Sequence, residues 1–381
     1  MDVRLIMKSA RNAVIEIADG GIYNTKETYH ILLNGEETFS TDTVINSLFD
    51  LKPQTKYEVL VKTADGVERG NVSFVTAYEF VTLNVRDFGA AGDGKQDDTK
   101  FIQAAILACP KESRVLVPKG TYRITSLFLK SNLRFELAKG AELVADTDRA
   151  SYPKFPGVIE SYDETSEYNL GTWEGNPLPM FAGIITGLDV ENVLIYGKGM
   201  INGNASKENW WKNPKVMVGA FRPRLFFLSH SQNVTLCGVT FKNSPSWTLH
   251  PYFSDNLKFY GVTINNPSDS PNTDGLDPES CKNVEILGVH FSLGDDCIAV
   301  KSGKIYMGRK YKTPAENTHI CHCLMENGHG AVTVGSEIGA GVKKHAGGKM
   351  LLFTHRPWTP HQDKTGQGQR FGAGRNHIPG H

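Results

Sequence analysis

The sequence of 381 residues lacks three features that would place it in familiar classes of protein. It has no charge excess, because 41 Lys and Arg balance 41 Asp and Glu, and bulk nucleic-acid binding needs an electropositive face. No apolar run approaches the roughly 20 residues of a membrane-spanning helix. Its six cysteines are too sparse for a disulfide scaffold. We expect a globular monomer without a nucleic-acid partner and without a membrane span.

The first residues also lack the apolar stretch of a secretory signal, since Asp2, Arg4 and Lys8 interrupt them. As printed, the chain predicts a cytoplasmic protein, and a different start would allow an extracellular or periplasmic one. What the sequence has is glycine, 38 residues in all, between short runs of β-branched residues. This pattern predicts an all-β protein rich in turns.

Residues 1–79 are predicted to form a small β-sandwich. Alternating apolar runs recur, and Asn34-Gly35 between two of them is a strong hairpin signal. The stretch from Leu51 to Tyr57 resembles the corner of a fibronectin type III domain, where a Tyr fixes the turn. The resemblance implies a fibronectin type III-like spacer domain without a catalytic role.

Residues 80–342 contain a repeated phrase that predicts a stacked-coil architecture. Three copies align closely, Asn233–Phe241, Asn256–Ile264 and Asn283–Phe291, and each runs Asn, apolar strand, Gly, Val. Repeats of 20–50 residues are typical of solenoids, in which each coil buries its inward side chains on the next. We therefore predict a parallel β-helix. A β-propeller, the alternative, would need its own blade motif, which we do not find.

Three further phrases carry the candidate catalytic residues. They are Asn272-Thr273-Asp274-Gly275, Gly294-Asp295-Asp296-Cys297 and Gly328-His329-Gly330. The first two are about one coil apart, and residues at the same corner of neighbouring coils lie about 4.8 Å from each other. The three carboxylates are therefore predicted to converge, with His329 one coil further on. Cleavage of a glycosidic bond needs one carboxylic acid and one carboxylate, and close packing of carboxyls raises a pKa.

These three phrases, in this order, resemble signature motifs of glycoside hydrolase family 28, the polygalacturonases, over about residues 82–342. The opening from Asp87 to Gly94 is similar to the cap of pectin-degrading right-handed parallel β-helices. The resemblance implies Asp295 as the general acid and Asp274 with Asp296 as the pair that activates water. It implies His329 as their support and Asn272 as a substrate ligand.

The same resemblance implies inversion at the anomeric carbon, for which the two carboxyls are roughly 6.5–9.5 Å apart. It implies no cofactor and no metal. The Cys321-His322-Cys323 phrase is not expected to bind a metal, because alternation along a strand points His322 away from the two cysteines.

A basic insertion follows the second motif, and its cations Lys301, Arg309 and Lys310 are predicted to bind the substrate. Galacturonate is a carboxylate sugar, so cations at the end of a cleft would pair with it. A solvated hairpin is the other interpretation. Long insertions beside the cleft, with a fibronectin-like N-terminal domain, resemble bacterial exo-acting members, and we favour exo over endo action.

The chain departs from the family after residue 342. The fourth family motif, Arg-Ile-Lys, is absent, and residues 343–381 are rich in His, Gly and Pro. Codons can be chosen for residues 355–364 that spell Arg-Ile-Lys when read one base later. We therefore expect residues 343–381 to be an irregular, out-of-frame tail on an incomplete β-helix, and the printed chain to be poorly soluble and essentially inactive.

Two other functions stay open from the sequence. The β-helix could bind pectic oligosaccharides without cleaving them, or the chain could act on rhamnogalacturonan. A pectate lyase is disfavoured, because its Arg base and its calcium carboxylates have no evident counterpart.

Overall fold

The N-terminal strands form two antiparallel sheets in the computed structural model, which describes residues 1–158, 169–348 and 350–352. In one sheet the strand order is β1-β2-β5, and in the other it is β4-β3-β6-β7. The alternating apolar residues of both sheets meet in one buried cluster that includes Ile15, Ile31 and Val59. The strands are β1 (Asp2–Lys8), β2 (Ala13–Ala18), β3 (Asn24–Leu33), β4 (Glu36–Thr43), β5 (Ile45–Leu48), β6 (Lys56–Thr63) and β7 (Glu68–Val75).

The predicted corner is present. The Tyr57 hydroxyl accepts a hydrogen bond of 2.9 Å from the backbone N–H of Lys52, which ties the chain down before β6. Antiparallel pairing ends at Val75 and parallel pairing begins at Thr82. The domain division at residue 79 and the fibronectin type III assignment stay predictions.

The following strands are short and mostly stack in parallel on one another. They are β8 (Thr82–Asn84), β9 (Asp93–Asp97), β10 (Arg114–Val117), β11 (Gly120–Ile124), β12 (Leu127–Phe128), β13 (Arg134–Leu137), β14 (Ala141–Ala145), β15 (Lys154–Phe155), β16 (Met180–Phe181), β17 (Ile185–Leu188), β18 (Glu191–Gly197), β19 (Met200–Asn202), β20 (Phe226–Ser229), β21 (Gln232–Cys237), β22 (Thr240–Lys242), β23 (Leu249–Tyr252), β24 (Asp255–Tyr260), β25 (Thr263–Asn265), β26 (Lys282–Leu287), β27 (His290–Ser292), β28 (Ile298–Val300), β29 (Ala315–Cys321), β30 (Cys323–Asn327), β31 (Val332–Val334), β32 (Val342–Gly347) and β33 (Met350–Leu352). The helices are α1 (Thr99–Ala108) and α2 (Ile305–Tyr311), with 3-10 turns at Val85–Phe88 and Arg149–Ser151.

Three columns of parallel strands make the walls of the β-helix. Two are nine-stranded, β8-β10-β13-β18-β21-β24-β26-β29-β32 and β9-β11-β14-β19-β22-β25-β27-β30-β33. The third runs β12-β17-β20-β23 and continues through single bridges at Leu276 to β28 and β31. The prediction of an all-β, right-handed parallel β-helix behind an antiparallel sandwich is confirmed.

The repeated phrase has two structural roles. Its apolar positions stack from coil to coil, so Val193, Val234, Leu257 and Val284 are register partners in the core. Its Asn adopts a left-handed φ at every coil corner, where Asn and Gly are the least strained residues. The amides bond to each other along the helix, as Asn256 Nδ2 does to Asn233 Oδ1 at 2.6 Å.

The sandwich packs against the β-helix through a buried apolar cluster. Ile45 and Val44 of the first domain meet Tyr196, Tyr260 and Leu287 of the second. Glycines at the turn of the repeat let the two backbones approach, because an added Cβ at Gly288 would lie 2.5 Å from Ile45 Cβ. The N-terminal domain therefore covers one outer wall of the β-helix.

The prediction that irregular chain begins at residue 343 is wrong for the part the structure describes. β32 pairs in register with β29, so His345 lies beside Thr318, and β33 pairs with β30. The exposed strand edge of the preceding coil offers its N–H and C=O groups to any chain that follows, whatever its side chains. Residues 353–381, with the proposed shifted frame, lie outside the described residues. No helix in the described ranges is long and apolar enough to cross a membrane.

Candidate active site

The three predicted motifs occupy one corner of successive coils. Asp295 and Asp296 precede β28, His329 precedes β31, and Asp274 precedes the bridge at Leu276. Backbone bonds align the corners, from Gly275 N–H to the Asp296 carbonyl at 2.9 Å and from Cys297 N–H to the Gly330 carbonyl at 2.8 Å. The coil spacing read from the sequence thus brings the motifs side by side.

One oxygen from each of Asp274, Asp295 and Asp296 lies within 4.8 Å of the others. These oxygen–oxygen distances are shorter than the roughly 6.5–9.5 Å expected between the two carboxyl groups of an inverting pair, a separation that stays a prediction. The cause is the architecture, because neighbouring corners of a β-helix are only one strand spacing apart.

Burial and mutual repulsion act on this cluster together. Burial raises the pKa of Asp274 well above its ordinary value, the charge of Asp295 raises it further, and Lys301 opposes both. Burial and Asp295 also raise the pKa of Asp296, whose Oδ2 accepts a bond of 3.0 Å from the Thr333 hydroxyl. The cluster therefore retains at least one proton at a pH where isolated Asp side chains would have lost theirs.

His329 attaches to this cluster through Asp295. Its backbone N–H donates to the Asp295 carbonyl at 2.7 Å, and its Nδ1 lies 3.4 Å from Asp295 Oδ1. The hydrogen bond to Asp295 raises the pKa of His329 although partial burial works against it. The imidazole beside this carboxylate therefore keeps its positive charge to a higher pH than an ordinary histidine does.

Arg222 holds Asn272 in place. The guanidinium is buried and donates at 2.7 Å to Asn272 Oδ1 and at 2.7 and 3.0 Å to the carbonyls of Pro245 and Pro271. Asn272 itself has a left-handed φ of 55°, which suits Asn better than a β-branched residue. The predicted substrate ligand thus sits two residues before Asp274 on a fixed backbone.

Lys301 does not lie at the end of a cleft, as predicted, but beneath the carboxylates. Its side chain is 6% exposed, and its Nζ is 2.9 Å from Glu337 Oε2, 3.7 Å from Asp277 Oδ1 and 4.0 Å from Asp274 Oδ2. A cation buried among three carboxylates cannot reach a sugar, so its assignment as a substrate ligand is wrong.

Comparison with known proteins agrees with this geometry. The family model described as glycosyl hydrolases family 28 matches residues 113–346, more than half of the chain. The chain belongs to glycosyl hydrolase family 28. A second model, described as rhamnogalacturonase A/epimerase, pectate lyase-like, matches residues 82–140.

Relatives of this family 28 chain include curated proteins and solved structures. A Vitis vinifera protein named "Probable polygalacturonase" is 32% identical over 68% of this chain and 52% of its own length. The exo-poly-alpha-D-galacturonosidase of Dickeya chrysanthemi is 26% identical over 77% of this chain and 54% of its own. The chain therefore spans about half the length of these relatives. The Yersinia enterocolitica family 28 exopolygalacturonase shares the fold, with a TM-score of 0.67 and 22% identity over 92% of this chain and 74% of its own.

The basic insertion of this family 28 chain is helical and not a hairpin. α2 carries Arg309 as an exposed side chain, and the Lys310 ammonium lies 5.7 and 5.5 Å from the ring centroids of Tyr306 and Tyr311. Tyr311 in turn packs edge-on against Phe253 of the β-helix wall. The role of Arg309 and Lys310 in binding a substrate stays a prediction.

Three segments distant in sequence cover the sheet beside the carboxylates. Residues 169–176, 303–311 and 335–341 meet at glycines, because Gly308 lies directly against Gly339 and a Cβ at Gly175 would be 2.7 Å from Glu337 Cγ. Backbone bonds join them as well, from Lys304 N–H to the Gly175 carbonyl at 2.9 Å. The cover excludes water from the charged groups beneath it.

Sequence reasoning missed those charged groups. They lie on the outward face of the third column of strands and its continuation, and all are buried: Arg224, His250, Asp277, Glu279 and Glu337. His250 Nε2 lies 2.8 Å from Glu279 Oε2, and burial raises the pKa of Glu279 to about 7. The sequence signal for these charged groups was their alternation with apolar residues along the strands. The same alternation is found on any strand with one face in solvent, so it did not predict that the groups are buried.

The chemistry of the donors also bears on metal binding. The oxygens of Asp274, Asp295 and Asp296 are close enough to share a cation, and carboxylates are ligands that Ca²⁺ and Mg²⁺ prefer. Lys301 and His329 already supply positive charge beside Asp274 and Asp295.

In the Cys321-His322-Cys323 phrase, His322 Nδ1 is hydrogen-bonded to the carbonyl of Ile22 in the N-terminal sandwich.

Proposed function

We propose that the protein is a glycoside hydrolase that cleaves α-1,4-galacturonosidic bonds of polygalacturonate and pectin fragments. The observation that carries this proposal is the convergence of Asp274, Asp295, Asp296 and His329 on one corner of a family 28 β-helix. Glycosidic cleavage needs a proton donor and an activated water, and this cluster can supply both without a cofactor.

Asp295 is the general acid in this proposal. The cluster shares its protons, so raised pKa values at Asp274 and Asp296 do not by themselves locate the acid. Reach decides between the candidates, because the Asp295 side chain is 24% exposed and that of Asp274 only 6%. A donor must touch the glycosidic oxygen, and Asp295 is the more accessible of these two.

Asp274 and Asp296 then activate the attacking water. Each hydrogen bond from a water to a carboxylate spans about 2.7 Å, so one water can bond to two oxygens that are within 4.8 Å of each other. The water lies between this pair and the sugar ring, and its oxygen attacks the anomeric carbon while one of the two carboxylates takes its proton. Asp295 protonates the leaving oxygen as the glycosidic bond breaks. This single displacement inverts the anomeric configuration.

Exo action is part of the same proposal. The three covering segments meet over the sheet next to the carboxylates, and one of them carries the exposed cation Arg309 on α2. A covered surface that carries a cation favours the end of an acidic polysaccharide over its middle. The Dickeya chrysanthemi relative, an exo-poly-alpha-D-galacturonosidase by name, supports this choice.

The test uses the full chain with polygalacturonate. Reducing ends are measured over time, and the configuration of the first anomer released is read by proton NMR before mutarotation. We expect hydrolysis with inversion, and retention would overturn the single displacement. Binding of oligogalacturonate in a calorimeter without any reducing ends would favour a binding protein, and turnover on rhamnogalacturonan alone would favour that substrate.

A further inference from the structure

Lys301 is a buried cation that links three coils of the β-helix. It follows β28, its Nζ is 2.9 Å from Glu337 Oε2 on the next coil, and it also donates to the Gly335 carbonyl at 3.3 Å. On the preceding coil, Asp277 Oδ1 and Asp274 Oδ2 lie at 3.7 and 4.0 Å. One ammonium group thus faces a carboxylate of the proposed water-activating pair and a carboxylate outside it.

The position of this ammonium is fixed by aromatic packing. Its Nζ is 4.5 Å from the centroid of the Trp247 ring, and the Arg224 guanidinium lies 4.4 Å from the same ring. Arg224 is anchored in turn by a bond of 2.7 Å to the Ser246 hydroxyl. The ammonium therefore packs on an aromatic ring as well as facing the carboxylates.

The charge balance of this region shows what Lys301 does. Asp274 is buried next to two other carboxylates, so without a cation nearby it would hold a proton and could not act as a base. We propose that Lys301 is a positioning residue that favours the ionised form of Asp274, the form that can accept a proton from water, and that Glu337 tunes this effect by neutralising part of the Lys301 charge. The proposal rests on the function proposed above, in which Asp274 activates water.

Other charged groups face the same region and belong to the argument. Beyond the Lys301–Glu337 pair, the charged and titratable groups that face Asp274 or Lys301 are Asp295, Asp296, His329, Asp277, Glu279, His250, Arg224 and Arg222. Both Asp277 oxygens are buried and make no hydrogen bond among the described residues. Lys301 is the cation within 4.0 Å of both Asp274 and Asp277.

The experiment compares pH profiles of kcat and kcat/KM on polygalacturonate for Lys301→Met and Glu337→Gln with the unmodified chain. Loss of the cation should move the acid limb to higher pH by about one to three units, the usual effect of an opposite charge at this distance. Loss of the Glu337 charge should move it to lower pH by less. A purely structural role would not give shifts of opposite sign.

Three further variants keep the test decisive. Lys301→Arg should restore most of the acid limb. The double change Lys301→Met with Glu337→Gln removes the lost cation together with its nearest carboxylate, and it serves if the single variant fails to fold. Lys242→Met is the matched control, because Lys242 Nζ pairs with Glu142 at 3.1 Å in another column of the β-helix. Its acid limb should not move.

Some outcomes would overturn the proposal. They are an unchanged acid limb in Lys301→Met, a raised KM at constant kcat, and shifts of the same sign in both single variants. If the unmodified chain releases no reducing ends, the proposed function fails by itself. In that case the proposal is tested by the titration of the Asp274 carboxyl ¹³C signal, which is assigned with Asp274→Asn. The midpoint of this titration should move to higher pH in Lys301→Met, and an unchanged midpoint would contradict the proposal.

Discussion

The backbone N–H of His329 donates to the carbonyl of Asp295 while the His329 ring nitrogen Nδ1 lies 3.4 Å from Asp295 Oδ1. This double contact between two coils fixes the imidazole beside the proposed general acid. It also couples the charge of the imidazole to the state of that carboxylate, and it leads to the first two predictions.

Asp295→Asn should lower the rate of polygalacturonate hydrolysis by roughly 10²–10⁴-fold, the usual contribution of a general acid. The amide fills the same space but cannot donate a proton of comparable acidity. Reducing-end release by the purified variant measures the effect, with circular dichroism as the check of fold. Asp87→Asn, an exposed carboxylate near the N-terminal end of the β-helix, is the control. Unchanged turnover in Asp295→Asn would remove this residue as the acid.

The stabilising effect of His329 should depend on pH. Because its pKa is raised in the folded chain, the stabilisation is fully present below the ordinary pKa of histidine and is lost as pH rises through the raised value. The difference in free energy of unfolding between the unmodified chain and His329→Gln should therefore be largest in mild acid and shrink in alkali. Denaturant unfolding at several pH values measures it. A difference that grows with pH would contradict the charged imidazole.

The products formed early from polygalacturonate should be a single short species, monomer or dimer. This outcome follows from the proposed exo action, which rests on the cover formed by segments 169–176, 303–311 and 335–341. Chromatography of the first percent of products distinguishes the modes, with an endo-acting polygalacturonase as the comparison. A ladder of mixed oligomers at early times would show that the chain acts in the interior of the polymer.

Gly288→Ala should destabilise the contact between the two domains. The new Cβ would lie 2.5 Å from Ile45 Cβ, and φ is +64° there. Gly261→Ala is a matched control at the same point of the preceding repeat, with φ +56° and only the Ser47 hydroxyl at 3.3 Å. Both variants carry backbone strain, so the difference between their free energies of unfolding reports the overpacking at the interface alone. We expect Gly288→Ala to be less stable than Gly261→Ala by about 1–3 kcal/mol. Equal free energies of unfolding would mean that the interface yields without cost.

The candidate site was predictable where it depends on repeat spacing. Asp274, Asp295 and Asp296 could be placed together because the strand phrases around them recur at coil intervals, and a solenoid turns equal sequence intervals into neighbouring corners. The Asn of each phrase could be placed at a corner for the same reason. The contact of Arg222 could not be placed in this way, because its bond to Asn272 joins positions 50 residues apart in the chain.

Lys301 shows where this reasoning stops. Alternation along β28 places Ile298 and Val300 in the core and therefore turns Lys301 to the outer face, as the sequence allows. An outer face is ordinarily wet, so a cation there was assigned to the substrate. The segments that cover Lys301 are residues 169–176 and 335–341. The local sequence of β28 does not predict that these segments pack over it.

The end of the described chain shows the opposite error. Residues 343–347 and 350–352 have no repeat phrase, and Lys344 stands where the preceding coils have Asn, yet both segments pair as strands. Side-chain patterns report what a segment prefers alone, while a preformed strand edge supplies backbone partners to any sequence.

By itself the sequence determined the all-β class, the stacking of coils and the meeting of three carboxylates with His329, because each depends on periodicity along the chain. Only the tertiary structure decided which charged groups are buried, that Lys301 faces Asp274 and Glu337, and how close the carboxylates stand. Burial and charge pairing depend on segments that are remote in sequence but adjacent in space, and the strength of an electrostatic interaction depends on the water that those segments exclude.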